Sequence, residues 1–147
     1  MRELCLLALQ AFQVLFLWVH DWLPLGRLND VSAVKSQDTR MRLVIVTLIQ
    51  SLPFTVGLLF CLIHFRQPYP NWLDSWLRIS YILLFLGQMR AWWIPYLLHP
   101  EPERAERYRI MFGKTHSFLP VRNGMVPNTA HILLHVATLG TLILLFF

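Results

Sequence analysis

Hydrophobic residues in this chain gather into four long blocks, at 4–23, 41–65, 72–98 and 129–147. Each block reaches or exceeds the roughly 20 residues that a helix rising about 1.5 Å per residue needs to cross a bilayer core. None carries the in–out alternation of a barrel strand. The pattern predicts an all-α integral membrane protein with four transmembrane helices, an antiparallel up-down bundle formed as one domain over residues 1–147. The first block follows Arg2 much as a signal peptide would, but no small-x-small cleavage site comes after it. His20-Asp21-Trp22-Leu23-Pro24 reads instead as an interfacial helix end.

Polar and small positions recur inside the blocks at helical spacing. They are Gln10, Gln13 and then His20 or Asp21 in the first block, and Thr47, Ser51 and Thr55, with Gln50 beside them, in the second. The third has Tyr81, Gln88 and Pro95, with the small pair Gly87 and Ala91, and the fourth has His131, His135 and Thr138. Small and hydroxyl residues let membrane helices approach and hydrogen-bond, so these stripes are expected to be packing surfaces. Pro53 is expected to kink its helix, with Gln50 or Ser51 satisfying the carbonyl it frees.

The connection at 99–128 reads differently. Pro100 to Arg109 predicts a short helix with acids early and bases late, matching the helix dipole, and a Glu103–Arg107 pair one turn apart. Ile110, Met111 and Phe112 would return it to the membrane surface as an interfacial amphipathic helix. Asn123-Gly124 predicts a tight turn, and Asn128 or Thr129 the N-cap of the last helix.

Composition strengthens the membrane reading. The chain is 56% hydrophobic and 14% charged, against about 25% charged in soluble domains, and its mean hydropathy is +0.48. The net charge of +5 is unevenly placed. Arg27, Lys35, Arg40 and Arg42 fall in or beside the first connection, and Arg104, Arg107, Arg109, Lys114 and Arg122 in the third. The other side has Arg2, Arg66 and Arg78. The positive-inside rule makes the first and third connections cytoplasmic and places both termini on the opposite side. Trp18, Trp22, Trp92, Trp93 and Tyr96 would form an inner aromatic belt, and Tyr69, Trp72 and Trp76 an outer one.

Charge and motifs narrow the partners. Basic residues split between loops, with no soluble domain to carry them, argue against nucleic acid and for anionic lipids. Gly113-Lys114-Thr115 lacks the first glycine and the strand of a phosphate-binding loop. Cys5 and Cys61 are expected to be free, and no internal repeat suggests a repeat-built transporter.

This topology brings five of the six histidines, all but His64, toward one membrane face. Arg90 lies about 12 Å inside the end of its helix, where it either snorkels onto Trp93 or pairs with Asp21. His131 and His135 are four apart, the spacing at which one helix offers two imidazoles to a metal. Ile132 stands where an HExxH motif has its glutamate. A metal or haem is a candidate cofactor, with Asp21 or His116 completing a set on His131 and His135. The ligand-binding candidates are His116, His131, His135, Arg90, Asp21, Lys114 and Arg122.

Three functions follow. The first is a non-enzymatic subunit, homo-oligomer or member of a larger membrane complex that binds an anionic lipid headgroup or a partner protein. The second is a membrane-embedded enzyme or redox protein centred on His131 and His135. The third is an oligomeric channel or carrier lined by Gln10, Gln13, Thr47, Ser51 and Gln88.

Overall fold

Side-chain caps fix where the most apolar helices begin. The Thr39 hydroxyl accepts from the Arg42 N–H at 3.3 Å, and the Asn128 carbonyl oxygen accepts from the His131 N–H at 3.0 Å. Each satisfies an amide that helix geometry leaves without a partner. The computed structural model describes residues 1–147 and consists of helices and connections, 73% helix with no strand. The elements are α1 (Arg2–Val19), a 3₁₀ turn (Gly26–Leu28), α2 (Val31–Gln37), α3 (Arg40–Ile63), α4 (Asn71–Gln88), a π-helical segment (Met89–Trp93), α5 (Ile94–Leu97), α6 (Pro102–Phe112) and α7 (Thr129–Phe146).

α1, α3 and α7 are long and apolar enough to cross a membrane. α4 matches them in length, but Asp74, Arg78 and Gln88 lower its hydropathy. The four pack side by side: α1 lies on α3 and α7, and α4 lies on α7 and α3. Neighbours run antiparallel, as the register of their bonds requires. The Trp18 and Trp22 indoles donate to the Thr55 and Thr47 hydroxyls, each at 2.9 Å. Gln88 reaches Thr138, and Trp93 reaches His135.

The distribution of polarity is the reverse of a soluble protein's. Gln10, Gln13, Ser51, Thr138 and Thr141 are fully buried, whereas Ile49, Ile63, Leu83 and Val136 are more than half exposed. The buried polar groups form a seam. Gln13 Nε2 donates to Thr141 Oγ1 at 2.8 Å, Thr138 Oγ1 donates to Gln13 Oε1 at 3.0 Å, and Gln88 Nε2 donates to Thr138 Oγ1 at 2.9 Å. One network thus ties α1, α4 and α7 together, as hydrogen bonds between helices do in lipid.

Several local expectations change. Ser51 Oγ has no partner, so it does not serve Pro53. α1 ends at Val19, short of residue 23, and Asn29 closes that end by donating to the His20 and Leu23 carbonyls. Trp92 and Tyr96 are buried, so neither belongs to an inner aromatic belt. α6 does not face away from the bundle: Met111 and Phe112 are buried in one apolar group with Val34 and Trp92. The expected Glu103–Arg107 pair is absent, because Arg107 reaches the nearly buried carboxylate of Asp38 at 2.6 Å.

A double-mutant cycle on Gln13→Leu and Thr141→Val checks the seam. Unfolding in detergent is expected to give a coupling of about 0.6 kcal/mol, typical of hydrogen bonds within membrane bundles. Zero coupling would mean the bond contributes nothing to stability.

Candidate functional site

The third long helix is broken in a specific way, and the break positions the site. Pro95 has no N–H to give to the Ala91 carbonyl four residues earlier. The π-helical segment at Met89–Trp93 sends the Ile94 N–H to the Met89 carbonyl, which releases the Arg90 carbonyl as well. Arg104 from α6 repairs both losses, donating to Arg90 O at 2.9 Å and to Ala91 O at 3.2 Å. The same side chain pairs with Glu101 at 3.0 Å, and Glu101 also holds Arg90. α6 is thereby pinned across the bundle end.

Under α6 lies a cleft of about 750 Å³. Its floor is Leu17, His20 and Asp21 at the end of α1, with His131, Leu134 and His135 from α7. Leu43, Val46 and Gln50 from α3 and Leu83, Gly87 and Gln88 from α4 make its walls. These helices touch closely where a Cβ on Gly57 would stand 3.1 Å from Leu77, but a Cβ on Gly87 would meet nothing within 4 Å. Space beside Gly87 is open, and residues of both α3 and α4 line the cleft. Its lower part is apolar, and its upper end holds the ionised groups.

Those groups are arranged in pairs. Asp38 Oδ2 accepts from Arg107 at 2.6 Å, and Arg42 stands 3.1 Å from Oδ1 as an ion pair. The lining includes three arginines (Arg42, Arg104, Arg107) and three acids (Asp21, Asp38, Glu103), so it is close to electroneutral. Burial pushes the Asp21 carboxyl above the ordinary range; His20 beside it pulls the other way, and Asp38 adds to the rise. Burial also pushes up the Tyr108 phenol in the roof.

Hydrogen bonds dictate which nitrogen of each neutral imidazole carries the proton. His20 Nδ1 faces the Phe16 carbonyl at 2.9 Å, and a carbonyl only accepts, so Nδ1 is protonated. Its Nε2 lies 3.3 Å from Asp21 Oδ1. His131 Nδ1 donates to Asn128 Oδ1 at 2.6 Å, leaving its Nε2 with a lone pair. His135 has the opposite tautomer: Trp93 Nε1 donates to its Nδ1 at 3.0 Å, so the neutral ring carries N–H at Nε2. The ring centroids of His20 and His131 are 5.6 Å apart, and those of His131 and His135 6.3 Å. Trp92 packs on His131 at 4.6 Å.

The residues picked out by sequence divide among three places. Asp21, His131 and His135 line the cleft. Arg90 does not pair with Asp21; it is largely exposed and held by Glu101, because α6 brings that acid closer. His116, Lys114 and Arg122 lie outside the cleft and are exposed. His116 Nδ1 bonds the Thr129 hydroxyl at 2.8 Å, and its main chain ties Arg27 to Thr129, so it stitches the loops together. Lys114 borders a separate polar groove with Asp30 and Arg109. The set Asp21, His116, His131 and His135 is not assembled, and no three His, Cys, Asp or Glu side chains meet where they could hold a metal ion. Cys5 and Cys61 are both free.

Sequence reading left Trp92, Gln88 and Asp38 out of the site. Trp92 is four residues past Gln88, on the stripe already marked as interior, and Asp38 is four before Arg42. Both spacings were usable signals.

Two measurements check this geometry. Arg104→Ala strips two carbonyls of their donor, which is expected to cost about 1 kcal/mol and to speed amide exchange across residues 89–97; Arg104→Lys restores only part, lacking the planar fork. Unchanged exchange in Arg104→Ala would remove the cap from the account. For Asp21, the unfolded carboxyl titrates near 3.9 and the folded one higher. The folded chain thus holds the extra proton, and stability falls as pH climbs through that window. Asp21→Asn is expected to abolish this fall, read as the pH dependence of the melting-temperature difference from wild type.

Comparison with known proteins finds no matching family model, curated protein or solved structure.

Proposed function

We propose that the chain crosses the bilayer four times and acts as a non-enzymatic binding subunit, holding an amphiphile in the cleft between α3 and α4. One observation carries this reading. The cleft has an apolar part that opens between two helices with apolar outer faces, and a polar end closed by α6. A molecule with a polar head and hydrocarbon chains matches that gradient; its chains would leave sideways into lipid while its head lies beneath α6.

α4 joins the other three as a span in this proposal. With the π-helical segment and α5 it runs from Asn71 to Leu97, about 40 Å at 1.5 Å per residue. Asp74 and Arg78 pair at 3.0 Å near its start, and Ile79, Ile82, Leu83 and Leu86 are exposed along it. The basic first and third connections would face the cytoplasm, with both termini opposite. Lys114 and Arg122 would then meet anionic lipid headgroups outside the cleft, each worth about 1 kcal/mol. The anionic-lipid contact and the cleft are two separate surfaces.

A second reading is favoured by the tautomers. His131 presents a lone pair held in place by Asn128, and His135 presents an N–H one helical turn away. That is an aligned base and acid, the arrangement of general acid–base catalysis.

Mass spectrometry of lipids retained through purification tests the binding function. One lipid class is expected near one molecule per chain, and a composition matching the bulk membrane would overturn the reading. The enzymatic alternative differs in outcome: the retained molecule would be converted with time, and His131→Gln would stop conversion without releasing it.

A further inference from the structure

We propose that the loop from Ser117 to Arg122 is an interfacial anchor: Phe118 and Val121 insert among lipid headgroups, and Lys114 and Arg122 hold the anionic ones beside them. The inference rests on the reading that the chain crosses the bilayer, and it is independent of what fills the cleft. It goes beyond surface contact by the two cations, because it assigns apolar insertion to a loop outside the spans.

The loop is built so that its apolar side chains stay outward. Phe118 is 60% exposed and Val121 70%. Slackness does not explain this, since hydrogen bonds fix the backbone on both sides. The Ser117 hydroxyl donates to the Pro127 carbonyl at 2.8 Å and accepts from the Leu119 N–H at 3.1 Å. The Tyr96 hydroxyl donates to the Pro120 carbonyl at 3.0 Å, and the Asn123 amide donates to the Tyr96 carbonyl at 3.1 Å. Met125, in the turn that follows, is buried and takes the inward position. Phe118 and Val121 therefore need a cover from outside the chain.

Position and charge say what covers them. The bonds to Tyr96 set the loop beside the exposed Leu97 and Leu98 at the end of α5. On its other side the His116 carbonyl accepts from the Thr129 N–H at 2.8 Å, which ties the loop to the start of α7. Leu133 and Val136 then begin the exposed apolar face of α7. The patch thus continues the apolar outer faces of two helices, at the level where a four-span chain leaves the bilayer. Its charge is of one sign: residues 113–128 contain Lys114, His116 and Arg122 and no acid. An exposed aromatic ring flanked by unopposed cations fits an anionic bilayer surface, where the ring lies among headgroups and the cations meet phosphates.

Nitroxide depth measurement on the full chain tests this. The background is Cys5→Ser, because Cys61 is fully buried. Labels are placed singly through Phe118→Cys, through Val136→Cys on the outer face of α7 and through Ser36→Cys on exposed α2. The protein is reconstituted in phosphatidylcholine vesicles, or in an equal mixture with phosphatidylglycerol. Collision with oxygen, which enters lipid, is compared with collision with a nickel chelate, which stays in water. The oxygen-to-nickel ratio at 118 is expected to lie nearer that at 136 than that at 36, and to rise when phosphatidylglycerol is added. Lys114→Gln with Arg122→Gln is expected to remove that rise, and Val121→Asp to shift the ratio at 118 toward that at 36. A ratio at 118 equal to that at 36 in both vesicles would overturn the anchor and leave the patch to a protein partner. An inserted residue 118 that ignores phosphatidylglycerol would overturn the assignment to anionic lipid. A water-exposed label at 136 is a different failure, since it removes the bilayer-spanning reading itself.

Discussion

A carbonyl without a donor is expensive in an apolar bundle, and the segment from Met89 to Pro95 releases two of them. Water reaches this end of the bundle only in part. Arg104 takes its place, and much of the site depends on that substitution. The guanidinium can reach Arg90 and Ala91 only if α6 lies across the bundle end, and there Glu101 gathers Arg90 and Arg104 while Arg107 meets Asp38. Phe112 and Met111 then cover Trp92 and His131 from above. A π-helical turn is often placed where a helix must bend around a site. Here it supplies both the bend and the docking point for the roof.

Elements governed by local chemistry were legible in the sequence. The apolar blocks are helices, Asn128 is the N-cap of α7, and Asn123 and Gly124 both adopt positive φ in the turn that ends in the Arg122–Met125 bridge. The stripe Gln13, Gln88 and Thr138 is buried and bonded to itself. Pairing across distance was not legible. Arg107 and Asp38 are 69 residues apart, and nothing in the pattern near either names the other. Local spacing even suggested Glu103 instead, but an exposed neighbour competes poorly with a carboxylate held out of water. The face that α6 buries was likewise hidden, because an amphipathic helix has the same pattern whether it rests on lipid or on a protein surface.

Charge count alone says little about where the cations stand. A chain with net charge +5 and a basic third connection suggests an anion site. The structure separates the two ideas. The arginines over the cleft are bound to acids, whereas Lys114 and Arg122 remain on the outside. Cations at a surface contribute through their mean field over the bilayer. Arginines in the roof act chiefly as bidentate or forked donors that hold helices in place. The same residue type therefore serves attraction in one location and construction in the other.

The histidines make the corresponding point for polar recognition. An imidazole free to exchange tautomers can match almost any partner, and so specifies little. His131 and His135 lack that freedom, since Asn128 can accept only the Nδ1 proton of the first and Trp93 can only donate to Nδ1 of the second. Metal binding through both Nε2 atoms would require His135 to move its proton to Nδ1, directly against the Trp93 N–H. The arrangement suits an occupant that donates at one position and accepts one turn away. Fixing two tautomers in opposite senses converts a common pair of residues into a directional contact.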